Sequence, residues 1–474
     1  MPRHSKPSGS WLDRRFTRRG ALAVLATGAT AGLLAACQQP AAPAPTAAPK
    51  PAATTAPAPA ATAAPAPAAT AAPVATAAPA ATGPAKEIKV YWHPGHYYEA
   101  YKAVWAKAEK DLNLKISVEQ FQWPDMRTKL LAGFTAGSVP DLMEGGLWTI
   151  EFAKNGYLEP LDAYIAKDGK AIGYPADWIS QAPEQSLFEN KVYGIQMHLT
   201  CNTLFYNPKL LEKAGVAKVP TTWDEFLAAC QTVKEKTGAW GYAPEYQVSQ
   251  APAAWFYQND VKWWDPQKKE LTINSPDGVA AMQFQADLVR KYKVAPEPQP
   301  SVGYEGPANL FIAEKVAMIT TGPWNIAPIR KGAPNLVWDV TPPLKGKVQA
   351  TYYAGVNISI TKDSKNKDAA WEITKRLVDL EVEIAATKEA AMLMPRKTWS
   401  QRPELQADAI VKKYAGIMTS VTLKPGAPYD MILAEVYEKM FQDAYDNAMF
   451  GKMTAQDALD KYVKDGNLKL KQNP

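Results

Sequence analysis

His93 and His96, three residues apart after the first β-rich run of the globular part, have a spacing that suits two ligands to one ion. His198 falls at another strand end and could join them. Three imidazoles can hold zinc. No Cys/Asp/Glu cluster accompanies them, so hydrogen-bonding roles carry more weight and no metal is assigned. Cys201 and Cys230 are the only cysteines after Cys37. Cys230 lies on the apolar face of a helical stretch, which favours a buried free thiol, although an exported chain can form a disulfide. The chain has no Gly-rich phosphate loop, no G-x-S-x-G elbow, no H-E-x-x-H pair and no credible catalytic triad. Scattered Asp/Glu pairs read as solvated faces, and sequence alone leaves a carboxylate acid/base site open.

These side chains need a frame. Ile88, Val90 and Trp92 alternate with Lys89 and Tyr91, as in a half-buried strand. Tyr101, Val104, Trp105 and Ala108 follow helical spacing, with Asn113 as a stop. Leu114, Ile116 and Val118 alternate again. Met126, Leu130, Leu131 and Phe134 form a second helical face closed by Gly137, and Asp141–Met143 and Trp148–Asn155 read as strand and helix. Alternation of strand and helix predicts an α/β domain with a largely parallel sheet. Ligands of such sheets sit beyond the carboxyl ends of the strands, here Trp92–Tyr98, Trp123–Asp125, Glu144–Trp148 and His198–Thr203.

Gly194–Lys234 organises the middle of the chain. Val192–Leu199 and Leu204–Tyr206 are β-rich, Pro208–Ala214 is a short helix stopped by Gly215, and Thr222 precedes Glu225 at capping-box spacing ahead of Phe226, Leu227, Cys230 and Val233. A chain that leaves one sheet and runs straight into the next has two lobes and a crossing point. Beyond it lie the aromatic loop Tyr242–Trp264 and a helix from Ser275 to about Tyr292. A strand then leads into Gly322-Pro323-Trp324-Asn325, Tyr352–Ile360 crosses back, and Lys367–Lys388 reads as one long helix. The remainder is expected to be helical.

Residues 1–36 carry six Lys/Arg against one acid, which leaves the rest of the chain close to neutral. That excludes an electrostatic case for nucleic-acid binding. Arg18-Arg19 precedes a small-residue apolar run, too short and too weakly apolar for a spanning helix, that ends Leu34-Ala35-Ala36-Cys37. This is the pattern of a signal peptide over 1–36, with twin-arginine character, and of a lipidation site at Cys37. Residues 37–86 are expected to be a tether. Between 38 and 84 there are 12 prolines and one charge, Lys50, a composition that cannot bury a core. Semi-extended, it reaches on the order of 140 Å.

Seven stretches in order resemble the extracellular solute-binding proteins of family 1, the carbohydrate-type receptors of ABC importers related to maltose-binding protein. They are AGSVPDLMEG (136–145), FAKNGYLEPLDAYI (152–165), ENKVYGIQ (189–196), LFYNPKLLEKAGV (204–216), VPTTWDEFLAAC (219–230), AEKVAMITTGPWNI (313–326) and AGVNISITKDSKNKDAAWEITKRLV (354–378). The resemblance implies a two-lobed periplasmic-binding-protein-like type II fold. Lobe one would be 87–203 plus 354–395, and lobe two 204–353 plus 396–474. Hinge residues would be Thr200, Thr203, Ala354 and Gly355. It also implies no catalysis, no cofactor, a carbohydrate ligand, ABC permease subunits as partners, a monomer, and lipid anchorage at the outer face of the cell membrane. The alternatives are a same-fold receptor for a polyamine or polyol-phosphate, or a secreted carbohydrate-active enzyme.

A sugar presents C–H faces to aromatic rings and hydroxyls to carboxylates, amides and guanidinium groups. Trp324 follows Gly-Pro at a strand end, where the resembled family stacks a ring on sugar. Glu144 and Trp148 fall where that family places polar and aromatic contacts. Trp92, His96 and Tyr97 follow the first strand. Asn202 lies in the crossover, Trp255, Gln258 and Asn259 in the second lobe, and Tyr353 and Arg396 at later crossings. Trp105, Trp223 and Trp371 are expected to pack internally.

Overall fold

The computed structural model describes residues 85–473, apart from 147 and 426–432 and the side chains of Tyr304 and Ala354. The signal peptide, Cys37 and nearly all of the tether therefore lie outside the described residues. Among the described residues ten principal strands form two sheets. The first contains β1 (Lys86–Trp92), β2 (Leu114–Gln120), β3 (Leu142–Gly145), β4 (Ile195–Cys201), β9 (Ala350–Ile360) and β10 (Thr422–Pro425). The second has the order β8 (Asp339–Thr341), β5 (Thr203–Tyr206), β7 (Val316–Thr321), β6 (Trp240–Ala243).

Only part of the first sheet is parallel. β1 runs parallel to β2, with Val90 opposite Val118, and parallel to β3. β9 runs antiparallel to β3 on one side and to β4 on the other, and parallel to β10 at its start. The expectation of a largely parallel sheet is corrected to a mixed one, because β9 enters from the second lobe in the opposite sense. β4 is buried at all seven residues, so its IQMHLTC run shows no inside–outside alternation.

One residue, Asn202, separates β4 in the first sheet from β5 in the second. Its amide donates to the Tyr352 carbonyl at 3.3 Å, and the Thr351 hydroxyl donates to its carbonyl at 2.8 Å. Thr200 pairs with Ala354 and Leu199 with Gly355. The outgoing and returning strands thus lie side by side where the chain changes sheets.

Helix ends follow local chemistry. Asn113 and Gly137 take left-handed conformations after Glu99–Leu112 and Trp123–Ala136. The Thr222 hydroxyl accepts the Glu225 amide at 3.3 Å, and Glu225 reaches back to Thr221 rather than to Thr222. The long helix expected over Lys367–Lys388 is two helices, Lys367–Leu377 and Leu380–Ala390. Asp379 makes the break by accepting the amides of Glu381 and Val382.

Trp105 and Trp371 are core residues, and Trp223 stacks on Phe284 at 4.8 Å. Helices Phe441–Met449 and Ala455–Lys471 share a core with Phe226, Trp255 and Met318 of the second lobe. Near the sheet change, Tyr414 receives the Thr203 hydroxyl and donates to the Thr321 carbonyl. Cys201 and Cys230 are buried free thiols, pushed up in pKa by burial.

Candidate functional site

A cavity of about 440 Å³ opens between the carboxyl ends of both sheets. His93, His96 and Tyr98 reach it after β1, Trp123 after β2, Gly146 and Trp148 after β3, and His198 and Thr200 from the end of β4. The facing wall comes from Gln247, Ser249 and Gln250 after β6, Trp324 and Asn325 after β7, and the Gly306–Ile312 helix. Tyr352, Gly355 and Val356 of β9 form part of its lining, and Glu438 reaches it from the C-terminal region.

The first-lobe wall is an aromatic cluster fixed from behind. Trp123 stacks on His93 with centroids 4.7 Å apart and meets Trp148 edge-on at 5.5 Å. The Gly95 amide donates to His93 Nδ1 at 3.1 Å. The proton of neutral His93 is therefore on Nε2, which donates to Gln122 Oε1 at 2.9 Å. Burial, with His96 adding, pushes the His93 pKa down to about 3. The same two causes hold His198 well below the usual imidazole value, so both rings are neutral near pH 7. The fully buried Glu144 accepts the His93 amide and bonds His96 Nδ1 at 2.9 Å. It anchors the histidine loop from below.

On the other wall Trp324 is half-buried after Gly322-Pro323. A Cβ at Gly322 would collide with the indole ring, so the glycine lets the ring lie against the backbone. Asn325 is held by its bond to the Thr321 hydroxyl at 2.7 Å. Aromatic rings from both sheets, with amides and hydroxyls on the same lining, suit a ligand that has apolar faces and a polar rim. No group of three or more His/Cys/Asp/Glu suited to a metal occurs among the described residues.

Residues 94–375 match the sequence profile of the bacterial extracellular solute-binding proteins. The chain belongs to that family. Relatives of this solute-binding protein include a Brucella abortus protein named as a binding protein, 25% identical over 362 residues that span 74% of this chain and 85% of the relative. The maltotriose-binding protein of Pyrococcus abyssi is 23% identical over 318 residues, 65% of this chain and 66% of that one. Among solved structures, the GacH receptor of Streptomyces glaucescens, determined unliganded and with acarbose, is 25% identical. Its TM-score is 0.69, over 80% of this chain and 99% of that chain.

Within this solute-binding protein the expected site residues divide sharply. Trp324, Trp148 and His96 line the same cavity, as do the expected hinge residues Thr200 and Gly355. Ala354 sits in β9 opposite Thr200, and Thr203 opens β5. The other expected ligand residues do not line this cavity. Glu144 lies behind the wall. Trp92 is fully buried, donating to the His96 carbonyl at 3.0 Å and meeting Trp105 edge-on, so it supports the loop rather than lining the cavity. Tyr97 lies under the Lys102 ammonium. Asn202 is buried at the sheet change.

Trp255 packs against Trp223 and Phe226 inside the second core. Gln258 accepts the Trp223 indole N–H at 2.7 Å, and Asn259 donates to the Asp277 carbonyl at 2.7 Å. The helix Ala251–Gln258 is buried at all eight residues, and none of them lines the cavity. Tyr353 is buried beside Glu184. Arg396 lies between Asp177 and Glu383, each 3.2 Å away, with its guanidinium over Trp178. The lining residues Trp123 and His198 belong to strand-end loops already singled out. Glu438 had no such signal, since it arrives from a helical region far along the chain.

Proposed function

We propose that this protein is the capture component of an ABC importer. It binds a carbohydrate between its two lobes, delivers it to permease subunits, and catalyses no reaction. The observation that carries this reading is that Trp123 and Trp148, from strand ends of the first sheet, and Trp324, from a strand end of the second, line one cavity together with amides and hydroxyls. Sugar rings present apolar faces to such walls. The maltotriose-binding relative and the acarbose-bound receptor support the same ligand class. The lobes are taken as 87–203 with 354–395, and 204–353 with 396–474, except that Ala350–Tyr353 and Thr422–Pro425 pair within the first sheet. Closure is a population shift, because ligand touches both walls only when they approach. The protein acts as a monomer, held to the membrane by lipid on Cys37 and by the Pro-rich tether, and exported through its Arg18-Arg19 signal. Among the described residues no helix is long and apolar enough to cross a membrane.

Calorimetry and thermal shift with neutral mono- and oligosaccharides test the ligand class. Saturable binding of at least one sugar is expected. Tight binding of a peptide or a polyamine with no response to any sugar would overturn it. For the anchor, Cys37→Ala should move the protein from the membrane fraction to the medium or soluble envelope fraction; retention on the membrane would overturn lipidation.

A further inference from the structure

We propose that the cleft selects among saccharides by charge, favouring a sugar that carries a protonated amine over the same sugar when neutral, and disfavouring sugar acids and sugar phosphates. This inference rests on the carbohydrate reading above. Among the described residues that line the cavity there is no lysine and no arginine, but there are two carboxylates, Glu305 from the second-lobe side and Glu438 from the C-terminal region. Neither makes a salt bridge among the described residues, in a chain where surface carboxylates are commonly paired.

The surroundings of Glu438 do not cancel its charge. The groups that act on it are Arg127, on Trp123–Ala136, and Glu151, on Thr149–Lys154. Arg127 is already committed to Glu151, meeting its two oxygens at 2.8 and 3.0 Å. One cation and two carboxylates leave this corner negative whenever Glu438 is ionised. On the rest of the wall His93 and His198 are neutral and His96 is bound to Glu144. An ammonium in the cavity would thus meet a negative field in a poorly screened space. A carboxylate or phosphate would meet that field reversed and find no cationic side chain on the lining to accept it.

Burial pushes the Glu438 pKa up to about 7, with Arg127 opposing and Glu151 adding. Preference for the amine should therefore strengthen as pH rises from 6 to 8, where Glu438 ionises and a primary amine such as that of lysine is still protonated.

The experiment is calorimetric titration of the intact protein at pH 6 and pH 8. The probes are maltotriose and cellotriose, each as the neutral sugar, the 6-amino-6-deoxy form and the 6-carboxylate form. For whichever backbone binds, the amine should bind ~10-fold tighter than the neutral sugar at pH 8, and the carboxylate ~10-fold weaker, the size of one charge-assisted contact. Glu438→Gln combined with Glu305→Gln should bring the amine-to-neutral ratio towards one. The exposed Glu305→Gln alone should lower it in part. A carboxylate that binds as tightly as the neutral sugar would overturn the inference, as would an unchanged ratio in the folded double variant. In either case the carbohydrate reading stands. If no saccharide binds in any form, here or in the broader screen, that reading fails and takes this inference with it.

Discussion

Trp324 depends on a neighbour that has no side chain. Its ring rests where the Gly322 Cβ would be, so Gly322→Ala should displace the indole without touching the ligand itself. Trp324→Ala should weaken saccharide binding by about tenfold or more through loss of a stacking face, and Gly322→Ala should shift affinity in the same direction. Calorimetry alongside melting temperatures checks both. Affinity that survives Trp324→Ala in a folded protein would remove the ring from the site.

A second residue-scale expectation concerns Glu245, which is 1% exposed. Burial holds its carboxyl well above the ordinary range, with the Ala251 amide opposing. The folded state keeps a proton that the unfolded state releases above about pH 4.3. Stability from this group is therefore complete below that pH and is lost as pH rises towards the folded value. Glu245→Gln removes the slope. Urea midpoints of the variant should gain on the parent between pH 5 and pH 8, and parallel pH profiles would sink the idea.

At the scale of elements, Asp379 separates two helices whose apolar faces run on in phase. Asp379→Ala should cost about 1 kcal/mol, the usual worth of such a cap, measured as a shift in denaturant midpoint; Asp379→Asn should retain most of it. The break was illegible in the sequence because Ala370, Ile373, Leu377, Leu380 and Ile384 keep one helical stripe across it. Elsewhere periodicity was enough. Tyr101, Val104, Trp105 and Ala108 face the core as their spacing predicts. Trp92 is in phase with Ile88 and Val90, all fully buried, so alternation alone assigns it to the core. The strand-end loops located the first-lobe wall, whereas the direction of each side chain there depends on buried partners such as Glu144, distant in sequence. Glu438 depends on the path of the last helices and left no local trace.

For the whole molecule, the two-lobed plan was legible because its signals recur: two sets of strands, a direct passage at Thr200–Leu204, and seven ordered motifs. The mixed sense of the first sheet was not, because strand direction is a property of connections. β9 lies between β3 and β4, pairing with residues 142–145 on one side and 195–201 on the other. A chain ending at residue 349 would leave both of those strands without a central neighbour. Such a truncation should be insoluble or protease-sensitive, and a protected first-lobe fragment from it would show that β9 is dispensable.

The position of β9 bears on how the protein is made. The first sheet cannot close while the ribosome is still adding the second lobe, since the strand that joins its halves comes after that lobe in the chain. The β1–β2–β3 part can pair early, but the β3 edge and β4 must wait for β9 through some 150 residues of further synthesis. Such long-range pairing is slow and aggregation-prone. An export route that carries finished proteins would let the whole chain assemble in the cytoplasm, with its own chaperones, before it leaves.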